Sequence, residues 1–254
     1  MFQFLLSVPR RINLARYGAL LGMWLVSSAA LAQALPAAPE VPPEVLKRVA
    51  ELEPGLGAAS VRATPIAGLY EITLGPRVVY LTGDGRYLVQ GELMDIKTKQ
   101  NLTVGARRSA RAASMDAIEE GSLVVFAPAE VKHSITVFTD VDCPYCSRFH
   151  REVPQLVNAG VKVRYAAFPR GGIPSKNYNR MVSVWCATDP QAAMTAAKEG
   201  QDVDAAQCPN DVEAHFRVAR AMGVRGTPTV VLGNGELLPG YVPWKRLVRI
   251  LNDG

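Results

Sequence analysis

In the stretch FTDVDCPYCSRFH, Phe138 to His150, Cys143 and Cys146 stand two residues apart. Such a pair can form a redox couple, supply half of a metal site, or staple the chain. It follows a β-branched, apolar run and precedes residues at helical spacing. A thiol at a helix N-terminus meets unpaired N–H groups and the positive end of the helix dipole, so its pKa falls and it attacks as thiolate near neutral pH. Cys143 occupies that position. Pro144 suits the first helical turn, where its missing N–H would be unpaired anyway, and Cys146, one turn in, can reach back to resolve a mixed disulfide. Arg148 and Arg151 add positive potential while Asp140 and Asp142 oppose it, so the sequence leaves the pKa open. A zinc site needs two more ligands at matching spacing, but Cys186, Cys208 and the three histidines are scattered, and no metal or other cofactor is expected. A CxxC disulfide acting only as a staple closes too small a loop to constrain the unfolded chain much. The redox couple is the favoured reading.

The other two cysteines, Cys186 and Cys208, lie in a helical section. Closing a loop of that size contributes roughly 3 kcal/mol in the chain-entropy model, which favours a structural disulfide over a second couple lacking any positioning motif. Thr227-Pro228 follows GVRG and begins a strand. In a thioredoxin-like arrangement a cis proline faces the CxxC and the backbone before it bonds an extended substrate; on its own, Thr-Pro is more often a trans turn. His150 and His215 fall in helical patterns and His133 precedes a strand; all three read as surface residues rather than proton carriers.

These cysteines sit in a chain whose first stretch reads as an export signal. Arg10, Arg11 and Arg16 form a positive region, YGALLGMWLVSSAALA is apolar, and Ala30-Leu31-Ala32 or Ala32-Gln33-Ala34 offers small residues for cleavage. A retained anchor would want ~20 apolar residues without the interruption at Ser27 and Ser28. The net charge of +5 falls to +2 once those three arginines, the only charged residues up to Ala34, are removed, so nucleic acid is not an expected partner. The basic ARRSAR cluster, Ala106 to Arg111, has no interleaved aromatics and reads as a solvated helix face. An exported chain meets an oxidising compartment, where disulfides are expected.

The elements that position the couple can be read in order. PEVLKRVAEL is a helix started by Pro43 and stopped by Pro54-Gly55. GLYEITL, RVVYLT and RYLVQGELMD read as three strands of a small antiparallel sheet, with a Gly83 to Gly85 turn. That unit has little core of its own, and its edge can pair with a second copy. NLTVGARRSARAASMDAIEE reads as a helical connector with Gly105 and Gly121 as its ends. HSITVFTD, the helix CSRFHREVPQLVNAG and VKVRYAAF then form a βαβ unit with parallel strands, placing the couple at a strand-to-helix junction. A helical section runs from about Ser175 to Met222, followed by a hairpin around Asn234-Gly235 and the amphipathic helix PWKRLVRILND.

The blocks VVYLTGDGRYLVQGELMD, HSITVFTDVDCPYCSRFH, VKVRYAAFPRGG, VSVWCATD and GVRGTPTVVLGNGELLPGY, in this order, resemble the DsbC/DsbG family of periplasmic disulfide isomerases over nearly all of the mature chain. The resemblance implies an α+β fold: a signal at 1–34, a small cystatin-like antiparallel-sheet dimerisation domain at 35–100, a helical linker at 101–121, and a thioredoxin-like catalytic domain with a helical insertion at 122–254. It implies Cys143 as attacking thiolate and Cys146 as resolving thiol. Thr227 and Pro228 become the cis-proline loop, facing substrate with Pro144 and Tyr145. Cys186 and Cys208 become the structural disulfide, and Tyr87 to Asp95 the dimer edge. Pro144 departs from the Cys-Gly-Tyr-Cys of the isomerase branch toward the DsbG form, whereas FTDVDC, AFPR and the Cys186/Cys208 pair resemble the DsbC branch. The implied protein is a periplasmic homodimer that rearranges wrong disulfides of secreted proteins and is kept reduced by a membrane reductase of the DsbD type, with no stable membrane insertion after cleavage. The alternatives are a reductase of sulfenylated cysteines and a redox-independent chaperone for unfolded chains.

Overall fold

Strand β8, His133–Thr139, runs parallel to β9, Val161–Ala167, with Ile135 opposite Val163 and Val137 opposite Tyr165. One face of the pair is apolar, whereas the other carries Ser134, Thr136, Lys162 and Arg164 beside Phe138 and Ala166. Ile135, Val137, Val163 and Tyr165 enter one core with Phe149, Leu156, Met181, Met194 and Leu247, while Phe138 and Ala166 enter another with Met115, Phe168 and Met222. The computed structural model describes residues 41–54, 56, 57 and 60–253; the signal expected at 1–34 and the start of the following segment lie outside them.

The described chain begins with helix α1, Pro43–Leu52, and strands β1, Val61–Ala63, β2, Leu69–Leu74, β3, Arg77–Thr82, and β4, Leu88–Val89. The four strands form an antiparallel sheet in chain order. On β3 the side chains alternate as a strand requires. Val79 and Leu81 join Val45, Val49 and Ile72 in a small core under α1, while the Tyr80 hydroxyl bonds that of Thr103. The expected single strand from Arg86 to Asp95 is instead broken: β4 is two residues long, and Met94–Asp95, β5, turns away to pair with β6, Gln100–Asn101. Leu93 N–H bonds the Thr103 hydroxyl at 2.7 Å and so leaves the ladder.

Helix α2, Leu102–Asp116, starts where the Asn101 side chain accepts from Val104 N–H at 3.0 Å. Gly105 is therefore inside the helix rather than at its end. The ARRSAR face is not simply solvated either: Arg107 pairs with Glu92, and Arg108 pairs with Glu236 at 2.8 Å, where the helix meets the last hairpin. Gly235, with φ +77°, lies so close to the Arg108 carbonyl that a side chain there would overlap it.

Beyond α2, strands β7, Val124–Phe126, β10, Thr229–Leu232, and β11, Leu237–Pro239, complete a five-stranded sheet in the order β11-β10-β8-β9-β7. The helix expected after the couple is two helices, α3, Pro144–His150, and α4, Val153–Asn158. Pro154 has no N–H to carry the ladder across the join. Glu152 at the break instead turns its carboxylate to the Tyr241 hydroxyl at 2.6 Å and to Trp244 N–H at 2.8 Å, the first residue of helix α8, Trp244–Asp253. Helices α5, Lys176–Trp185, α6, Pro190–Lys198, and α7, Val212–Ala221, make up the helical section. Among the described residues no helix is long and apolar enough to cross a membrane.

Candidate active site

The turn from β8 into α3 is held from below by a buried carboxylate. Asp140 has no exposed surface; it accepts from Asp142 N–H and Arg170 N–H, each at 2.8 Å, from Asn177 Nδ2 at 3.3 Å, and pairs with Arg170 Nε at 3.4 Å. Asp142 in turn pairs with Arg180 and accepts from Asn177 Nδ2 at 2.8 Å. Cys143 is the N-cap of α3, in extended conformation at φ −89°, ψ 120°, with Pro144 as the first helical residue.

Both thiols of the couple are free and buried, each 1% exposed, whereas Pro144 is exposed and Tyr145 is 61% exposed. The Thr227-Pro228 peptide bond is cis. Antiparallel pairing of β10 with β8 sets Thr229 opposite Phe138, which carries the Thr227 carbonyl to within 3.4 Å of the Cys143 thiol that donates to it. Thr227 Oγ1 is buried without a hydrogen-bond partner in this arrangement.

The two thiols are pushed in opposite directions. The hydrogen bond from Cys146 pulls Cys143 down to about 5, against the effect of burial and with help from Thr227, the Cys146 N–H and the Arg170 charge. Burial pushes Cys146 far above the usual thiol range, as does its bond to Cys143, while Lys198, Thr139 and the Asp140 N–H oppose this. One sulfur is thus an anion at neutral pH and the other a thiol.

Several sequence-based expectations change here. The cation that favours the Cys143 thiolate is Arg170, from the loop after β9, not Arg148 or Arg151; Arg148 lies over the Tyr241 ring at 4.4 Å. Asp140 and Asp142 do not face the thiolate as free charges, since each is paired with an arginine. His150 and His215 are buried rather than superficial, and burial lowers each to about 4. His133 is partly exposed and bonds Asn252 at 3.0 Å. Cys186 and Cys208 form a disulfide with Cα atoms 5.6 Å apart, tying the end of α5 to the loop before α7. Among the described residues no cluster of three or more His, Cys, Asp or Glu is placed to hold a metal.

Residues 122–254 match the model of the thioredoxin-like domain, and residues 28–104 match that of the disulfide bond isomerase protein N-terminal domain. The chain is 39% identical over 200 residues to the thiol:disulfide interchange protein DsbC of Dickeya dadantii, covering 78% of this chain and 82% of that protein. The chain belongs to the DsbC family. Its identity to DsbC of Escherichia coli K12 is 35% over 199 residues, covering 78% of this chain and 83% of the relative. A disulfide interchange protein from Neisseria gonorrhoeae, solved as a crystal structure, aligns over 54% of this chain and 97% of its own at 27% identity and a TM-score of 0.48. The DsbC branch is thus the right one despite Pro144. As a DsbC-family member the protein is a thiol:disulfide interchange enzyme, and its α+β organisation, an antiparallel sheet followed by a thioredoxin-like region, is that of the two matched domains.

Proposed function

We propose that this DsbC-family protein is a periplasmic disulfide isomerase and reductase in which Cys143 attacks and Cys146 resolves. The observation that carries the reading is the pair of opposed thiols beside a cis-proline loop: a sulfur drawn down to about 5 at a helix N-cap, against the Thr227 carbonyl, with a protonated partner one turn below.

The Cys143 thiolate attacks one sulfur of a substrate disulfide, forming a Cys143–substrate bond and releasing the other substrate sulfur as thiolate. That thiolate, or another on the same chain, can attack the mixed disulfide and leave the substrate rearranged and the enzyme reduced. Alternatively Cys146 attacks Cys143, the Cys143–substrate bond breaks, and the couple becomes oxidised by two electrons as the substrate is reduced. The Thr227 and Pro228 backbone and exposed Pro144 and Tyr145 receive the extended substrate.

Isomerisation starts from the reduced couple, so a donor must return electrons after each resolution; a membrane reductase of the DsbD type fits that need. The substrates are misoxidised secreted proteins. The homodimer forms through the N-terminal sheet, a reading supported by β4 as its edge and by exposed Tyr87, Leu88 and Val89 along it.

The test is refolding of scrambled ribonuclease in a glutathione buffer. Recovery by the wild type, lost in Cys143→Ala, is the expected result. No recovery by a protein whose couple still titrates would overturn isomerisation and leave a DsbG-like reductase.

A further inference from the structure

Behind α3 lies a lysine that the exchange reaction, as described so far, does not use. Lys198, the last residue of α6, is 5% exposed, yet no carboxylate pairs with it among the described residues. Its Nζ donates to Thr139 Oγ1 at 2.7 Å and to the Asp140 carbonyl at 2.6 Å. Thr139 ends β8, and Thr139 and Lys198 both act to lower the pKa of the Cys146 thiol, against the effect of burial. Thr139 thus links to the Lys198 amine by a hydrogen bond and to the Cys146 thiol by its effect on that thiol's acidity.

The lysine also forms part of the wall of a cavity of about 640 Å³, on the side of α3 facing α6. Phe126 and Val153 line its apolar part, His150 and Thr195 stand beside the lysine, and exposed Glu199 opens it to solvent. Cys146 itself is almost fully buried.

We propose that Lys198 is a positioning residue for the resolving step: through the Thr139 hydroxyl it holds a positive charge beside the Cys146 sulfur and carries the proton of that thiol to the cavity. This rests on the proposed roles of Cys143 and Cys146. In the mixed disulfide, Cys146 gives its proton to Thr139 as the hydroxyl proton passes to the neutral amine. The resulting ammonium donates to Thr139, which donates to the Cys146 thiolate. The thiolate attacks the Cys143 sulfur, the Cys143–substrate bond breaks, and the electron pair leaves on the substrate sulfur, which takes a proton from water; the ammonium returns its own to water in the cavity.

The surroundings suit this role. Burial lowers the Lys198 pKa, which brings the neutral amine within reach, while Cys146, Asp140, Cys143 and Asp142 act the other way. The carboxylates of Asp140 and Asp142 are engaged with Arg170, Asn177 and Arg180. His150 bonds the Tyr165 hydroxyl and Thr195, and its low pKa leaves it neutral, so it does not compete as a cation. Tyr165 is held protonated by burial and by the Cys146 charge.

The experiment mixes the reduced full-length protein with oxidised glutathione, quenches with acid at intervals, and weighs the intact protein across pH 5 to 9. The first phase forms the glutathione adduct at Cys143 and the second loses it to the Cys143–Cys146 disulfide. In Lys198→Met, and independently in the near-isosteric Thr139→Val, the second phase is expected to slow about tenfold at pH 7 and to rise about one pH unit later, since one unit is a tenfold change. The first phase should stay within about threefold. Guanidinium unfolding checks that each variant is folded, and Thr139→Val alone decides if Lys198→Met is not. Second phases that superimpose on wild type in the folded variants overturn the proposal. Failure of the wild type to form an adduct at Cys143 would instead overturn the roles on which it rests.

Discussion

The sulfur of Cys143 lies 3.4 Å from the carbonyl oxygen of Thr227, the residue whose peptide bond to Pro228 is cis. Strand pairing of β8 with β10 creates this proximity, so the Cys143 thiol and the cis-proline loop are fixed to neighbouring strands of one sheet. The position and acidity of Cys143 therefore have consequences for reactivity, stability and assembly.

Alkylation of the reduced protein by iodoacetamide should rise with pH through a midpoint near 5, the pH at which Cys143 ionises, and reach its plateau well below neutrality. Cys146 should remain unmodified at pH 7, because burial and its bond to Cys143 keep it protonated. Peptide mass mapping after a short pulse reads both outcomes; a midpoint near the ordinary thiol value of about 8.5 would contradict the geometry.

The same shift links redox state to stability. The folded pKa of Cys143 is depressed, so the stabilisation it gives the reduced protein is fully present above the unfolded thiol pKa of about 9 and is lost as pH falls toward 5. Reduced protein should thus lose stability relative to oxidised protein between pH 9 and pH 5. Denaturant midpoints of the two forms across that window measure the trend.

Replacing both Cys186 and Cys208 by serine, in a Cys143→Ala/Cys146→Ala background, should lower stability by roughly 3 kcal/mol, the entropy of the opened loop. Guanidinium unfolding with and without the pair gives the value.

Gly235→Ala should cost about 1–3 kcal/mol. The residue has φ +77°, which disfavours a Cβ, and that Cβ would meet the backbone carbonyl of Arg108 rather than a side chain that could move aside. Urea titration of the variant checks it, and unchanged stability would mean that α2 can lift from the hairpin freely.

Glutamates at Leu88 and Val89 should convert a dimer to monomer, because they place charge along the outer edge of β4. Sedimentation velocity at micromolar concentration separates the outcomes; a wild-type protein already monomeric there would refute the dimer.

Much of this arrangement was legible in the residues. The alternation in HSITVFTD and VKVRYAAF and the helical crossover between them specify a parallel pair, and Pro144 after Cys143 marks the helix start, so the couple's place followed from local rules. The break at Arg151 and Glu152 did not, because apolar spacing runs through it and only the bonds of Glu152 to Tyr241 and Trp244 reveal the corner. Arg170 belongs to a block that resembles the family, but its pairing with Asp140 depends on the loop after β9 returning under the active-site turn. Lys198 left no signal. A lysine in the last turn of a helix ordinarily complements the helix dipole in solvent, and its burial arises only when α6 packs behind α3. The histidines were misplaced for the same reason.

The contrast between a 61% exposed Tyr145 and a 1% exposed Cys143 has one more consequence. In the proposed reaction the Cys143 sulfur is recessed beside an exposed aromatic side chain, with the Thr227 carbonyl next to it. Under that reading a disulfide held beneath the surface of a rigid globule would not reach the recessed sulfur, whereas a slack chain could bend past Tyr145 and present its own. Recessing the sulfur in this way would select polypeptides by their looseness, before any side chain is read.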